Sequence, residues 1–377
     1  MGKIEIEKMI RPCCSGFEPY IAGKPVETIK RELGLKKVIK LASNENPLGP
    51  SKKAVAAMKA ALDKVFYYPD SNSFELKAAI GRKFGVKPGN VLVGAGSDEI
   101  IELIAKLFFG PEDEIIISDH SFIRYKMAGK LMNSTVISVP MKNYKHDLEA
   151  MADAVNGSTK AIFIANPNNP TGTYNTKYEF EALLARISAY SLERPPLIIM
   201  DEAYYEYARL EKDYPETLKY LEKYPNLVIL RTFSKVYALA GMRAGYGFAA
   251  AEIVDYVDRI RPPFNLNSLV QAAGAASLAD AEQVKKGTAL VKKEKALMYK
   301  ELKKLGIAFV PSAGNFILME IKPFTGQEAF GKLLRLGVIV RGMDEYEFPN
   351  FVRVSIGLPS ENRMFIEAVK KMLSGKA

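Results

Sequence analysis

Asn226-Leu-Val-Ile-Leu-Arg-Thr-Phe-Ser-Lys-Val-Tyr-Ala-Leu-Ala-Gly-Met-Arg243 is the stretch on which the fold turns. Its first part is a short apolar run of the kind buried in a parallel sheet. That places Lys235 just past the end of a strand. In open α/β sheets, ligands bind at such carboxyl ends. A serine directly before a lysine, then Leu-Ala-Gly, then an arginine eight positions on, is not a packing pattern. A lysine amine held at a strand end can condense with an aldehyde. The Ser234 hydroxyl and the Arg243 guanidinium suit a phosphate. A lone Ser-Lys pair on a solvated surface would mean nothing, so the weight falls on whether matching parts occur elsewhere.

Working outward, apolar strands alternate with amphipathic helical patterns, which predicts a parallel sheet and an α/β fold. Strands are expected at 91–93, 114–118, 135–139, 161–165, 197–200, 227–230 and 245–248. Helical spacing runs over 97–109, with Ile100, Ile101, Leu103, Ile104 and Leu107 on one face, and over 178–188. The character changes after Arg261-Pro-Pro263. One long lysine-rich helix is expected over 268–305, then short strands at 308–310, 315–320, 338–341 and 351–355. A closing helix follows over 360–373, with Ser360 as its cap. This divides the chain into a large unit at 46–260 and a smaller α/β unit made of 1–45 and 261–377.

A chain of 377 residues, 48% of them hydrophobic, is ample for a large core and a second smaller one. The net charge of +10 comes from scattered lysines, not from an arginine-rich tract with interleaved aromatics, which argues against nucleic-acid binding. The adjacent Cys13 and Cys14 cannot staple the fold and lack metal-ligand spacing, so no metal is expected. They fit a reducing cytoplasm. The N-terminus has no apolar stretch suited to a signal peptide, and no run is long enough to span a bilayer. His120 and His146 are the only histidines, which disfavours a histidine-based triad.

Four further strand ends carry polar or aromatic residues. Gly94-Ala-Gly-Ser-Asp-Glu99 joins a strand to a helix, where glycines permit a tight turn and free N–H groups favour a phosphate. The same turn also fits an ordinary helix capped by Ser97. Asn166-Pro-Asn-Asn-Pro-Thr-Gly172 is a rigid turn, in which Asn169 could donate an amide hydrogen to a phenolate oxygen. In Ile198-Ile-Met-Asp-Glu-Ala-Tyr204, an aspartate directly after an apolar strand is costly to leave unpaired. Asp201 could cap a helix or face a protonated ring nitrogen, and Tyr204 is within reach of the same place. In Asp119-His-Ser-Phe-Ile-Arg-Tyr125, Phe122 could be core or could stack on a flat heterocycle. An aldehyde and a phosphate on one cofactor suggest pyridoxal 5′-phosphate.

Together these motifs resemble those of the fold type I pyridoxal-phosphate aminotransferases, the aspartate aminotransferase superfamily. Asn-Pro-Thr-Gly, Asp-x-x-Tyr and Ser-Lys-x-x-x-Leu-Ala-Gly-x-Arg occur in that family's order and spacing. Within it, Glu18-Pro-Tyr-Ile-Ala-Gly-Lys-Pro25, Lys40-Leu-Ala-Ser-Asn-Glu-Asn-Pro-Leu-Gly-Pro50, Tyr67-Tyr-Pro-Asp70 and Arg353-Val-Ser-Ile-Gly357 are most similar to the histidinol-phosphate branch. The resemblance implies a mostly parallel seven-stranded sheet in an α/β/α sandwich beside a smaller α/β domain. It implies that Lys235 bonds the cofactor aldehyde, Asn169 and Tyr204 hold the phenolic oxygen, Asp201 pairs with the ring nitrogen and Phe122 stacks on the ring. Gly96, Ser97, Asp98, Ser234 and Arg243 would surround the phosphate. Tyr68 would reach that phosphate from a second subunit, so a homodimer is implied. Arg353 would clamp an anionic group of the substrate, with Tyr20, Asn169 and Arg341 as further substrate contacts.

The implied reaction is amino transfer from a small-molecule donor to a 2-oxo acid, with L-histidinol phosphate and 2-oxoglutarate as the expected pair. Aromatic amino-acid transamination and threonine-phosphate decarboxylation use the same site plan. A catalytically silent regulatory module on this scaffold is the reading from another class.

Overall fold

A computed structural model describes residues 5–17, 26–190 and 192–375. Tyr20 lies outside them. The central sheet has seven strands, in the spatial order Val91–Gly94, Gly245–Phe248, Leu227–Thr232, Leu197–Asp201, Thr159–Ala165, Glu114–Ser118 and Thr135–Val139. All run parallel except Gly245–Phe248, which is antiparallel to both neighbours.

Strand periodicity decides where the core sits. Side chains alternate between faces with a period of two. Ile162, Ile164, Ile198, Met200, Leu227 and Ile229 face one core, while Ala161, Phe163, Leu197, Ile199, Val228 and Leu230 face another. The first core is covered by the helices Phe74–Phe84, Lys177–Ala189 and Ser268–Leu278, through residues such as Leu76, Ile80, Phe180, Leu184 and Val270. The second is covered by Ser97–Phe108, Ile123–Leu131 and Ala251–Ile260, through Ile100, Ile104, Tyr125 and Val257. The sheet is therefore the middle layer of an α/β/α sandwich. Its strands are apolar throughout because both faces are buried, and each fully buried Ile or Leu stabilises by roughly 1.5–3 kcal/mol.

The C-terminal part forms a four-stranded antiparallel sheet, in the order Arg341–Gly342, Phe351–Ser355, Phe316–Glu320 and Phe309–Val310. The strand expected at 338–341 is split at Val340. Its first half, Val338–Ile339, pairs in parallel with Ile39–Lys40, and only its second half joins the four-stranded sheet. The single helix expected over 268–305 is also two. Ser268–Leu278 ends at Ala279, and Asp280 caps a new helix, Ala281–Lys304, by accepting from the Gln283 N–H at 3.2 Å. Ser268–Leu278 packs against the helices Lys52–Ala61 and Phe74–Phe84. The last helix is Pro359–Leu373, so Ser360 lies inside its first turn and Leu358 takes the cap position. No helix among the described residues is long and apolar enough to cross a membrane.

Candidate active site

A cavity of about 250 Å³ opens at the carboxyl ends of the sheet strands. Every cofactor residue expected from the sequence lines it, apart from Tyr68. Five strand ends supply them: Gly96, Ser97 and Asp98 after Val91–Gly94, Phe122 after Glu114–Ser118, Asn169 after Thr159–Ala165, Asp201 ending Leu197–Asp201, and Ser234 and Lys235 after Leu227–Thr232.

Asp201 is almost fully buried. Its Oδ2 accepts from the Tyr125 hydroxyl at 2.7 Å and its Oδ1 from the Ala203 N–H at 3.1 Å. Burial is the largest influence on this carboxyl and raises its pKa to about 6. The two hydrogen bonds favour the anion, while the charges of Asp98 and Glu202 oppose it. A buried carboxylate lining a cavity is a natural partner for a cationic ring nitrogen. The capping alternative is met only by the Ala203 contact, two residues on.

Lys235 Nζ lies 3.4 Å from the Ser43 carbonyl oxygen and 5.5 Å from the centre of the Tyr204 ring. The Tyr204 oxygen accepts from Asn44 Nδ2 at 2.9 Å, which leaves its own proton to donate elsewhere. The amide oxygen of Asn169 accepts from Arg353 Nη1, so its NH₂ is the end that remains to donate. Arg353 Nη2 also donates to the Ala42 carbonyl at 2.8 Å.

At the other end of the cavity lie groups whose geometry suits an anion. Gly96 has φ +88°, and a Cβ there would come within 2.6 Å of Arg243 Nη2. Arg243 Nη2 is 3.5 Å from Asp98 Oδ2. The helix Ser97–Phe108 begins here with Gly96, not Ser97, as its cap residue, and no side chain caps it. Its first N–H groups are thus left for an anion. Gly245 lets the neighbouring strand approach the start of this helix, since a Cβ there would lie 2.3 Å from Ser97 N.

Of the expected residues, Arg353 is outside the cavity lining but contacts it through Asn169, and three more are placed elsewhere or not at all. Tyr68 is 81% exposed and stacks on Phe264 with ring centres 4.6 Å apart. Arg341 is the cross-strand partner of Arg353 and pairs with Glu345 at 2.6 Å, outside the cavity lining. Tyr20 is outside the described residues. The structure adds Ser43, Glu45, Tyr125 and Thr232 to the lining. All four lie in stretches already quoted from the sequence, where none of them was given a role in the site. Among the described residues no group of acidic, histidine or cysteine side chains could hold a metal ion.

A family model described as aminotransferase class I and II matches residues 36–369. Histidinol-phosphate aminotransferase 2 of Carboxydothermus hydrogenoformans is 43% identical over 365 residues, covering 97% of this chain and 99% of its own. Histidinol-phosphate aminotransferase of Caldicellulosiruptor saccharolyticus is also 43% identical, over 97% of this chain and all of its own. Among solved structures, histidinol-phosphate aminotransferase from Sinorhizobium meliloti in complex with pyridoxal 5′-phosphate aligns over 98% of each chain, with TM-score 0.86 and 26% identity. Aspartate aminotransferase from Thermus thermophilus with maleate, at 19% identity and TM-score 0.81 over 97% of this chain and 99% of its own, shares the fold.

Proposed function

The chain belongs to the class I and II aminotransferases, and on that premise we propose that it is a pyridoxal-phosphate-dependent transaminase acting on L-histidinol phosphate and 2-oxoglutarate in histidine biosynthesis. The observation that carries this reading is the convergence of the Lys235 amine and the buried Asp201 carboxylate on one cavity. The names of relatives above 40% identity over nearly the whole chain support the choice of amino donor.

The residues fit the cofactor on three counts: a buried carboxylate for a cationic nitrogen, a glycine cradle beside an arginine, and an amine at the cavity wall. When bound, pyridoxal phosphate supplies an aldehyde to hold the substrate amine and a ring to take up electrons. Lys235 Nζ would be the amine that holds the aldehyde carbon. Lys235 Nζ would also be the acid–base group, placed to take the proton from the substrate's amine-bearing carbon and to give it up to the cofactor. Asp201 keeps the ring nitrogen cationic. Asn169 and Tyr204 donate to the phenolic oxygen, and Phe122 covers one face. Gly96, Ser97, Asp98, Ser234 and Arg243 hold the phosphate group. Arg353, with Arg341 beside it on the sheet, holds the anionic end of the substrate. Tyr20 is a further substrate contact in this reading.

We divide the chain as its sequence suggests, with the cofactor held by 46–260 and the substrate arginines supplied by a smaller unit of 1–45 and 261–377; the contacts of helix Ser268–Leu278 support moving that helix to the larger unit. A homodimer fits the same reading, because Tyr67, Tyr68, Phe66 and Phe264 form an exposed aromatic patch from which Tyr68 could reach a neighbour's phosphate cradle. We assign the enzyme to the cytoplasm, in keeping with its two free cysteines.

The test is a substrate panel on the purified holoenzyme, with histidinol phosphate, phenylalanine and threonine phosphate as amino donors. Amino transfer from histidinol phosphate at the highest kcat/KM is the expected result. Transfer from phenylalanine with none from histidinol phosphate would overturn the donor assignment, and carbon dioxide release from threonine phosphate would overturn the reaction type.

A further inference from the structure

Resting on the cofactor reading above, we propose that Tyr125 is a positioning residue that fixes the Asp201 carboxylate as an anion aimed at the cofactor's ring nitrogen. The strand Leu197–Asp201 sends its odd-numbered side chains towards the core that contains Tyr125. Asp201 is the last of these, so its carboxylate meets the Tyr125 hydroxyl at the edge of that core, at 2.7 Å. The Ala203 N–H holds the other carboxylate oxygen, at 3.1 Å. Two donors on two oxygens fix the plane of the group, and each oxygen keeps lone-pair capacity for a ligand.

The bond also selects a protonation state. Burial and the nearby charges of Asp98 and Glu202 push Asp201 towards its neutral form. A neutral carboxyl would leave a ring nitrogen without its counter-charge. The Tyr125 hydroxyl opposes this by donating to the anion, and burial keeps its own proton in place, raising its pKa well above the ordinary tyrosine value. Tyr125 has a second contact with the site. Its ring stacks on Phe163 with centres 4.7 Å apart, and Phe122 meets it edge-on at 5.6 Å. It therefore buttresses the aromatic that would cover the cofactor. The substitution Tyr125→Phe separates the two roles, because it keeps the ring packing and removes only the donor.

The experiment compares wild-type and Tyr125→Phe protein in three measurements: the apo melting temperature, the dissociation constant for pyridoxal phosphate, and the visible spectrum of the holoenzyme. Loss of one hydrogen bond to a charged group corresponds to roughly ten- to a hundredfold in an equilibrium constant. We expect weaker cofactor binding on that scale, a shifted visible absorption maximum and an apo melting temperature within a few degrees of wild type. In turnover, kcat should fall at least about tenfold while KM for the amino donor stays within about twofold. Unchanged binding and spectrum would overturn the proposal. So would a large fall in apo melting temperature that accounts for the lost affinity, which would make Tyr125 a packing residue. A double-mutant cycle with Asp201→Asn gives an independent check. The double variant should bind cofactor no worse than Asp201→Asn alone, whereas additive losses would refute the coupling. Cofactor binding and spectra need no substrate, so they judge this proposal even if the donor assignment fails.

Discussion

Arg231 Nη2 lies 2.8 Å from Glu202 Oε2, and both side chains are at most 1% exposed. Arg231 Nε donates to the same oxygen at 2.9 Å, and Thr217 Oγ1 donates to Glu202 Oε1 at 2.7 Å. Two carboxylates adjacent in sequence thus have opposite destinations. Asp201 turns to the core containing Tyr125 and to the cavity, whereas Glu202 turns to the other side and is neutralised by Arg231. The guanidinium also lies 3.4 Å from the centre of the Tyr205 ring. Removing one partner of a buried pair strands the other charge, at about 3–5 kcal/mol. Arg231→Met should therefore lower the urea unfolding free energy of the apo protein by that amount. A loss under about 1 kcal/mol would show that Glu202 finds another way to be satisfied.

Asp201 carries the opposite expectation. Its pKa rises from an ordinary 3.8 to about 6 on folding, chiefly through burial. The folded state then binds more protons than the unfolded state between those values, so stability is full below about 3.8 and falls as pH climbs through 6. The difference corresponds to roughly 3 kcal/mol lost by the cofactor-free protein at neutral pH. Asp201→Asn should remove most of this pH dependence and raise the apo melting temperature at pH 7, while kcat collapses. Calorimetry of the apo proteins at pH 4.5 and 7 is the check, and equal pH dependence in both would exclude Asp201 as its source.

Gly96 tests the phosphate cradle. Alanine there must adopt φ near +88° and place a methyl group 2.6 Å from Arg243 Nη2. Backbone strain of this kind costs about 1–3 kcal/mol, and the arginine end must also move. Gly96→Ala should weaken cofactor binding at least about tenfold, measured by titration of the apo protein. Gly89→Ala is the control, since nothing lies within 4 Å of its added carbon and its φ is not positive. Similar affinities for the two variants would rule out the cradle.

Much of this was legible in the chain itself, for identifiable reasons. The seven central strands are apolar runs punctuated by turns, so each was found to within a residue or two. Residues such as Asp201 and Asn169 were visible because a polar group straight after an apolar run has few bland explanations. The break at Ala279-Asp280 was missed because neither glycine nor proline marks it. The split at Val340 was missed because its cause is long-range, the pairing of Val338–Ile339 with Ile39–Lys40. Ser43 and Asn44 reach the site through the same kind of distant contact. Asn44 is tied in by Asn315 Nδ2, which donates to its carbonyl at 3.0 Å. Tyr125 escaped for a different reason. A tyrosine at helical spacing reads as core, and it is core, although it also lines the cavity.

Lys235 carries the reaction reading and gives the sharpest expectation. Its amine forms no ion pair among the described residues, and its contact with the Ser43 carbonyl is long, at 3.4 Å. Among the described residues no carboxylate holds it back from reaction with an aldehyde. Wild-type protein loaded with pyridoxal phosphate should be yellow, and borohydride should trap a reduced lysine–cofactor adduct that mass spectrometry of peptides assigns to Lys235. Lys235→Ala should give no such peptide. Its turnover should fall by at least the 10²–10⁴-fold associated with losing a positioned acid–base group. Because Asp201 and the residues proposed to hold the phosphate are untouched, the variant should still bind the cofactor without a covalent link. An adduct on another lysine, or near-normal turnover by Lys235→Ala, would remove Lys235 from the chemistry.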